Sequence, residues 1–185
     1  MKKKKKSIVI WLMGIPCSGK TTLATAMEDI LNKKGISCVA LDGDEVRETI
    51  NSDLGFTDKD RLENIRRSAQ IAKLLSRNNI LTICSFITPS KETQELARNI
   101  IGDESFFEIY VKCSLQTCVK RDVKGLYGKA LRGEISNLTG YNAEFNPPQN
   151  PFMEIDTENI SVDDAVSAII SAISPVLFEA IALKV

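Results

Sequence analysis

The sequence predicts an α/β fold of three layers, a mainly parallel sheet between helices, with a mobile lid. Three observations predict it. Short apolar, β-rich runs recur at residues 8–13, 37–41, 80–86 and 106–111, and a segment of helical spacing follows each. The first run stops at a glycine-rich turn that opens a helix. A stretch at about 122–151, rich in glycine, proline and asparagine, has little periodic apolar character. So long a connection inside a compact domain reads as a functional lid rather than a linker.

Each element has its own justification. After the strand at 8–13, Leu23, Ala26, Met27, Ile30 and Leu31 share one face of a helix over 21–33, which Gly35 ends. The strand at 37–41 runs into the acidic turn Asp42-Gly43-Asp44, and a short helix is expected over 46–50. Thr57 with Asp60 has the spacing of a capping box, for a helix reaching about Arg77. The strand at 80–86 ends before Pro89, and Ser90 starts a helix to about 101. The strand at 106–111 precedes a helix over 115–121 capped by Ser114. Inside the lid, 127–132 reads as a brief helix, and 153–155 as a small last strand. Ser161 and Asp164 cap a helix through 173, Pro175 is expected to break it, and 176–183 forms an apolar terminal helix. The organisation is a basic tail at 1–6 and a single domain at 7–185, with no internal repeat.

Composition narrows the function. Hydrophobic residues make up 43% and charged residues 26% of the 185, so a packed core can form. There is no histidine, which removes histidine general bases, catalytic triads and histidine-based zinc sites. Lysine plus arginine and aspartate plus glutamate each number 24; without Lys2 to Lys6 the body carries 19 positive against 24 negative side chains. A net charge of −5 does not suit a nucleic-acid binder, and the tail reads as a solvated terminus. The five cysteines form no CxxC pair and read as reduced thiols in the cytoplasm. The lysines and following apolar run imitate a secretion signal, but the run leads into a glycine-rich motif and reads as a first strand. No run approaches 18 apolar residues, so no membrane partner is expected.

The strongest motif is Gly14-Ile15-Pro16-Cys17-Ser18-Gly19-Lys20-Thr21, a full GxxxxGK[ST] match between a strand and a helix, with Thr22 beside it. Its glycines let successive backbone N–H groups turn toward phosphate oxygens, and the following helix offers its N-terminus to the same charge. Lys20 is then the catalytic cation on the β- and γ-phosphates of ATP, and the Thr21 hydroxyl a ligand of Mg²⁺. This predicts a P-loop NTPase fold. No guanine-reading NKxD element appears, so a small-molecule kinase is expected rather than a regulatory switch. Asp42 and Asp44 lie at the carboxyl end of the second strand, where parallel sheets place ligands. Asp42 is assigned to Mg²⁺, through water, or to orienting the attacking hydroxyl, and Asp44 to the acceptor. Asp44 and Arg47 can share one helical face, and Arg61 and Asn64 can face the same pocket, whereas Arg66 and Arg67 are accounted for as a solvated helix surface.

At this point the chain resembles the adenylyl-sulfate kinase family, which phosphorylates the 3′-hydroxyl of adenosine 5′-phosphosulfate (APS). Four features carry the resemblance along almost the whole chain. They are the phosphate loop, Leu41-Asp42-Gly43-Asp44 with Val46-Arg47, Leu54-Gly55-Phe56-Thr57 with Asp60-Arg61 and Glu63-Asn64-Ile65-Arg66-Arg67, and Arg121-Asp122-Val123-Lys124-Gly125-Leu126-Tyr127 continued by Lys129, Gly133-Glu134-Ile135 and Thr139-Gly140. The resemblance implies ATP and Mg²⁺ as cofactors and direct in-line transfer. It implies that Asp44, Arg47, Phe56, Arg61, Asn64, Ile87, Thr88, Lys124, Asn137 and Leu138 hold the acceptor, with Phe56 against its base. Arg121 and Lys129 are expected on the ATP side. Leu138 stands where the family carries a phenylalanine over the adenine, Thr88 replaces a serine, and Gly128 and Leu131 replace cations. A related 5′-substituted nucleotide such as cytidine diphosphate phosphoramidate is therefore an alternative acceptor. A nucleotide-binding module or another small-molecule kinase is a second alternative. The resemblance also suggests a homodimer and an ATP sulfurylase as functional partner.

Overall fold

The structure, a computed structural model, describes residues 8–182. The lysine tail therefore lies outside the described residues. Five strands, β1 (Val9–Met13), β2 (Cys38–Asp42), β3 (Leu81–Phe86), β4 (Phe106–Lys112) and β5 (Met153–Asp156), form one sheet in the order β2-β3-β1-β4-β5. All four strand pairings are parallel. The central strand explains the layers. Ile10 and Leu12 of β1 join α1 (Lys20–Lys33) and α7 (Val162–Ala182) in one apolar core. Val9, Trp11 and Met13, the alternate residues, join α3 (Asp58–Arg77) and α4 (Lys91–Ile101) in the other. A strand buried on both faces is what a sheet covered by helices on each side requires.

The edge strand β2 is covered by side chains. The Glu28 carboxylate accepts from the Ala40 N–H at 2.9 Å, and the Asn32 side chain bonds both the N–H and the carbonyl of Cys38. The outward backbone groups of β2 are thus partly satisfied by α1.

Two predicted elements need correction. The short helix expected at 46–50 is α2 (Gly43–Glu48), because the Asp42 side chain accepts from the Asp44 N–H and caps it three residues earlier. Pro175 does not break the last helix; α7 runs through it. The missing N–H would have pointed to the Ser171 carbonyl on the exposed side, where water can serve, while Ile169, Ile173 and Leu177 keep the buried stripe continuous. Packing outweighs the proline. α5 (Leu115–Arg121), just before the lid, and α6 (Leu126–Leu131), within it, build with Cys113, Leu138 and Ile135 a third, small core around Tyr127.

Candidate active site

The phosphate loop follows β1, whose carboxyl end lies between those of β3 and β4. Gly14 is required for space: a Cβ there would stand 2.5 Å from the Val111 carbonyl oxygen. Gly19 caps α1 at φ 102°, a conformation that favours glycine. Lys20 is only 8% exposed, and its Nζ donates to the carbonyls of Gly14 and Ile15 at 2.9 and 2.8 Å. Burial pushes the Lys20 ammonium down to about 8, although Cys118, Asp44, Cys17 and Asp42 pull the other way.

Beside it, the Thr21 hydroxyl donates to Asp42 Oδ2 at 2.7 Å, and the Ser85 hydroxyl donates to the same oxygen at 3.1 Å. The parallel register that sets Asp42 opposite Ser85 makes this possible. Burial would raise the Asp42 carboxyl, but the bonds from Thr21, the Asp44 N–H and Ser85 outweigh it and hold it below the usual carboxylate range. Mg²⁺ takes oxygen ligands, commonly one or two carboxylates completed by phosphates and water. Two hydroxyls and one ionised carboxylate gathered at the strand ends fit that chemistry. Ser85 was not among the expected site residues; the strand register that sets it beside Asp42 brings it in.

The acceptor-side residues meet across the α2–α3 turn. The Arg47 guanidinium lies 4.6 Å from the Phe56 ring centroid and donates to the Gly55 carbonyl at 2.8 Å. Phe56 itself is 58% exposed, an aromatic face open toward the cavity. Lys124 pairs with Asp44 across the cleft. Arg61 is a clasp: it donates to the Phe56 carbonyl at 3.0 Å, to Thr139 Oγ1 at 2.6 Å and to the Asn137 carbonyl at 2.7 Å. The Asn137 amide returns a bond to the Phe56 carbonyl at 3.3 Å.

The lid rests directly on the phosphate loop. Gly140, at φ 82°, approaches so closely that a Cβ would stand 2.4 Å from Ile15 Cγ2. The fully buried Tyr127 donates its hydroxyl to the Pro16 carbonyl at 3.0 Å, while Asp122 accepts from the N–H groups of Tyr127 and Gly128 and fixes α6. Thr157, after β5, donates to the Ser18 carbonyl at 2.8 Å, and Arg121 binds Thr157. Tyr127 and Thr157 were not among the expected site residues. Tyr127 belonged to a legible motif; Thr157 follows a four-residue strand and had no signal.

One cavity of about 790 Å³ runs along both groups. Lys20, Thr21, Thr22, Pro16, Cys17 and Gly19 border it from the phosphate side. Asp44, Arg47, Phe56, Arg61, Asn64, Ile87, Lys124, Asn137 and Leu138, the residues expected to hold the acceptor, border the rest of it with Arg121, Ile160 and Val162. Three expectations change. Lys129 is exposed and off the cavity wall, because two residues along a helix from the inward Tyr127 turn it to the opposite face. Thr88 lines the cavity but is 1% exposed, and its Oγ1 accepts from the Trp11 indole at 2.8 Å. Gly14, Ile15 and Ser18 support the loop from beneath, Ile15 against the lid, and do not border the cavity.

Known proteins match this arrangement. The family model for adenylylsulphate kinase matches residues 6–156. The adenylyl-sulfate kinase of Phocaeicola vulgatus is 46% identical over 172 residues, covering 93% of this chain and 84% of that protein. The probable adenylyl-sulfate kinase of Aeropyrum pernix is 45% identical over 174 residues, covering 93% and 95%. The solved structure of the Mycobacterium tuberculosis APS kinase, in complex with AMPPNP and APS, superposes with a TM-score of 0.88 at 37% identity, covering 91% of this chain and 98% of that one. With the phosphate loop, the acidic strand end, the arginine-bearing turn and the lid all in place, the chain belongs to the adenylyl-sulfate kinase family.

Proposed function

We propose that this protein transfers the γ-phosphoryl group of ATP directly to the ribose 3′-hydroxyl of APS, giving 3′-phosphoadenosine 5′-phosphosulfate and ADP. The observation that carries the reading is the single cavity that joins Lys20 and Thr21 to Phe56, Arg47 and the lid. Two nucleotides entering it from opposite sides meet at the carboxyl end of the sheet. The bond from the ribose 3′-oxygen to the γ-phosphorus forms as the β–γ bridge breaks, and the hydroxyl proton passes to an oxygen of the transferred phosphoryl group, to be lost to solvent when the products leave. Such a transfer has a loose transition state and asks for positioning and charge compensation more than for a strong base. That suits Asp42, whose carboxyl sits below the usual range and is a weak proton acceptor. Thr21, Ser85 and Asp42 would hold Mg²⁺, which when bound draws charge from the phosphate oxygens.

Arg47 and Arg61 supply cations for the phosphosulfate, Phe56 an apolar face for the base, and Lys124 with Asp44 a contact across the cleft. Residues 122–151 act as the lid: Gly140 on Ile15 and Arg61 on Asn137 and Thr139 close the site to water. The acceptor would be supplied by an adenylyl transfer to sulfate, the reaction of an ATP sulfurylase. Five free cysteines suit a reducing cytoplasm, and a homodimer is part of the same proposal.

The test is an acceptor panel assayed for ADP release: APS, AMP, adenosine, and cytidine nucleotides including the diphosphate phosphoramidate. APS is expected to lead in kcat/KM. A cytidine acceptor ahead by more than about tenfold, which corresponds to about 1.4 kcal/mol of transition-state stabilisation, would overturn it. ADP release independent of any acceptor would indicate a bare ATPase.

A further inference from the structure

Behind the acceptor side of the cavity lies a buried amide pair that the reaction as described does not use. Asn51, in the turn after α2, has no exposed surface, and its backbone is pinned by bonds to Val46 and Leu54. Its Nδ2 donates to Asn64 Oδ1 at 2.9 Å. Its own Oδ1 is the one buried side-chain polar atom without a hydrogen-bond partner among the described residues. A buried unpaired carbonyl is costly, and apolar residues of similar size would avoid that cost. What Asn51 contributes to the pair is its donor end.

Asn64 shows what that donor does. It is 5% exposed, lines the acceptor cavity from α3, and uses its backbone carbonyl for the Ser68 hydroxyl at 2.7 Å. With Oδ1 committed to Asn51, the amide can present only Nδ2 to a ligand. No protein group among the described residues accepts from Nδ2, yet it is not sealed in the interior as Asn51 Oδ1 is. It opens on the cavity. An asparagine side chain left to rotate would offer a donor in one orientation and an acceptor in the other.

We propose that Asn51 is a positioning residue for acceptor recognition: by holding Asn64 Oδ1 it fixes the Asn64 amide with its NH₂ toward the substrate, so that this subsite takes an acceptor atom, an anionic oxygen or an unprotonated ring nitrogen, and rejects a donor. The inference rests on the functional reading above, since it assumes that the Arg47–Phe56–Asn64 end holds the acceptor nucleotide. It assigns to a residue that never touches substrate the polarity of the contact that does.

The experiment is a double-mutant cycle with Asn51→Leu, Asn64→Leu and the pair, using ATP and APS, with KM and kcat for each. Binding of APS is followed independently through Trp11, the single tryptophan, which bonds Thr88 on the cavity wall. Asn51→Leu should raise the APS KM roughly fivefold to tenfold with the ATP KM unchanged, and should add nothing once Asn64 is already leucine. Asn51→Asp gives the sharper readout. Its carboxylate accepts from Asn64 Nδ2, turns Oδ1 toward the substrate, and should raise the APS KM more than Asn51→Leu does at similar thermal stability. Additive effects in the cycle, or an Asn51→Asp variant with wild-type APS KM, would overturn the inference while leaving the function intact. A variant that loses stability with an unchanged APS KM would show a purely structural role and overturn it equally. If the wild type does not turn over APS, the functional reading falls, and this inference with it.

Discussion

The two ends of the cavity are built by different means. The phosphate end is built around a local motif: eight consecutive residues at the junction of β1 and α1, with Lys20 held by carbonyls five and six residues away, braced from outside by Tyr127 on Pro16 and Thr157 on Ser18. The acceptor end is assembled across the chain. The bonds joining Arg61 to Thr139 and Asn137, Asn137 to Phe56, and Lys124 to Asp44 link residues 76 to 81 positions apart. A local site survives changes elsewhere and fails when one of its own groups goes. An assembled site fails by degrees, because its geometry depends on how well the lid is clasped. Each end can therefore be broken in its own way.

The largest effect is expected at the phosphate end. Lys20→Ala should remove about 3 kcal/mol or more of transition-state stabilisation, a loss above roughly 100-fold in kcat. The APS response of Trp11 fluorescence should persist, since the acceptor end is built from other residues. Activity within about twofold of wild type would refute the assignment of Lys20.

At the other end, Arg61→Ala removes charge-assisted bonds to Phe56, Asn137 and Thr139, each commonly worth about 1.5–3 kcal/mol. The APS KM should rise about tenfold or more, with the ATP KM changed less than about twofold. Hydrogen exchange in residues 135–143 should quicken in the same variant. If exchange there stays as in wild type, Arg61 binds substrate without clasping the lid.

The same division decides what could be read from sequence. The phosphate loop, the capping box of α3 and the strand alternation are local patterns, and the structure reproduces them with shifts of one or two residues at most ends. Asp42 was legible as a strand-end acid in a turn that could cap the next helix, but not that the cap starts the helix at Gly43, three residues earlier than expected. Pro175 misled because its local preference is outweighed by the buried stripe on α7. Ser85 and Thr157 enter through strand register and packing, which neither composition nor spacing displays; Tyr127 lay in a legible motif, but its seat under the phosphate loop at Pro16 comes from packing. Arg61 was legible as a cation facing the pocket and the resemblance supplied Asn137; only the fold shows that Arg61 donates to the Asn137 carbonyl.

A smaller effect comes from pH. Burial lowers Lys20 to about 8, so in the folded protein it is largely neutral between that pH and the ordinary lysine value, whereas the unfolded chain keeps the proton. The unfolded state then binds more protons, so stability rises with pH across this window, and below about pH 8 the burial cost is fully present. ATP favours the charged ammonium, so binding should take up a proton above pH 8, and ATP affinity should fall by up to about tenfold per pH unit there. Calorimetry in buffers of different ionisation heat measures the uptake. Lys20→Met should abolish it; uptake that survives the substitution belongs to another group.

The smallest expected effect lies where the two ends meet, at Leu138. The family resemblance makes Leu138→Phe look like a gain, since a ring over the base adds about 1–3 kcal/mol of stacking. The structure sets a comparable cost against it. Leu138 is 7% exposed and packs with Tyr127, Ala130 and Cys118 in the small lid core, while it also borders the cavity. Its backbone cannot yield easily: its N–H donates to Asn142 Oδ1 at 2.6 Å, and its carbonyl accepts from three successive N–H groups at 141–143. Extra volume forced into such a core costs about 1–3 kcal/mol. The two terms nearly cancel, so the APS KM of Leu138→Phe should stay within about threefold of wild type while the melting temperature drops. A KM lowered more than tenfold at unchanged stability would mean that position 138 faces the base with room to spare, and that the lid core tolerates a ring because it is looser than the hydrogen-bonded turn around it.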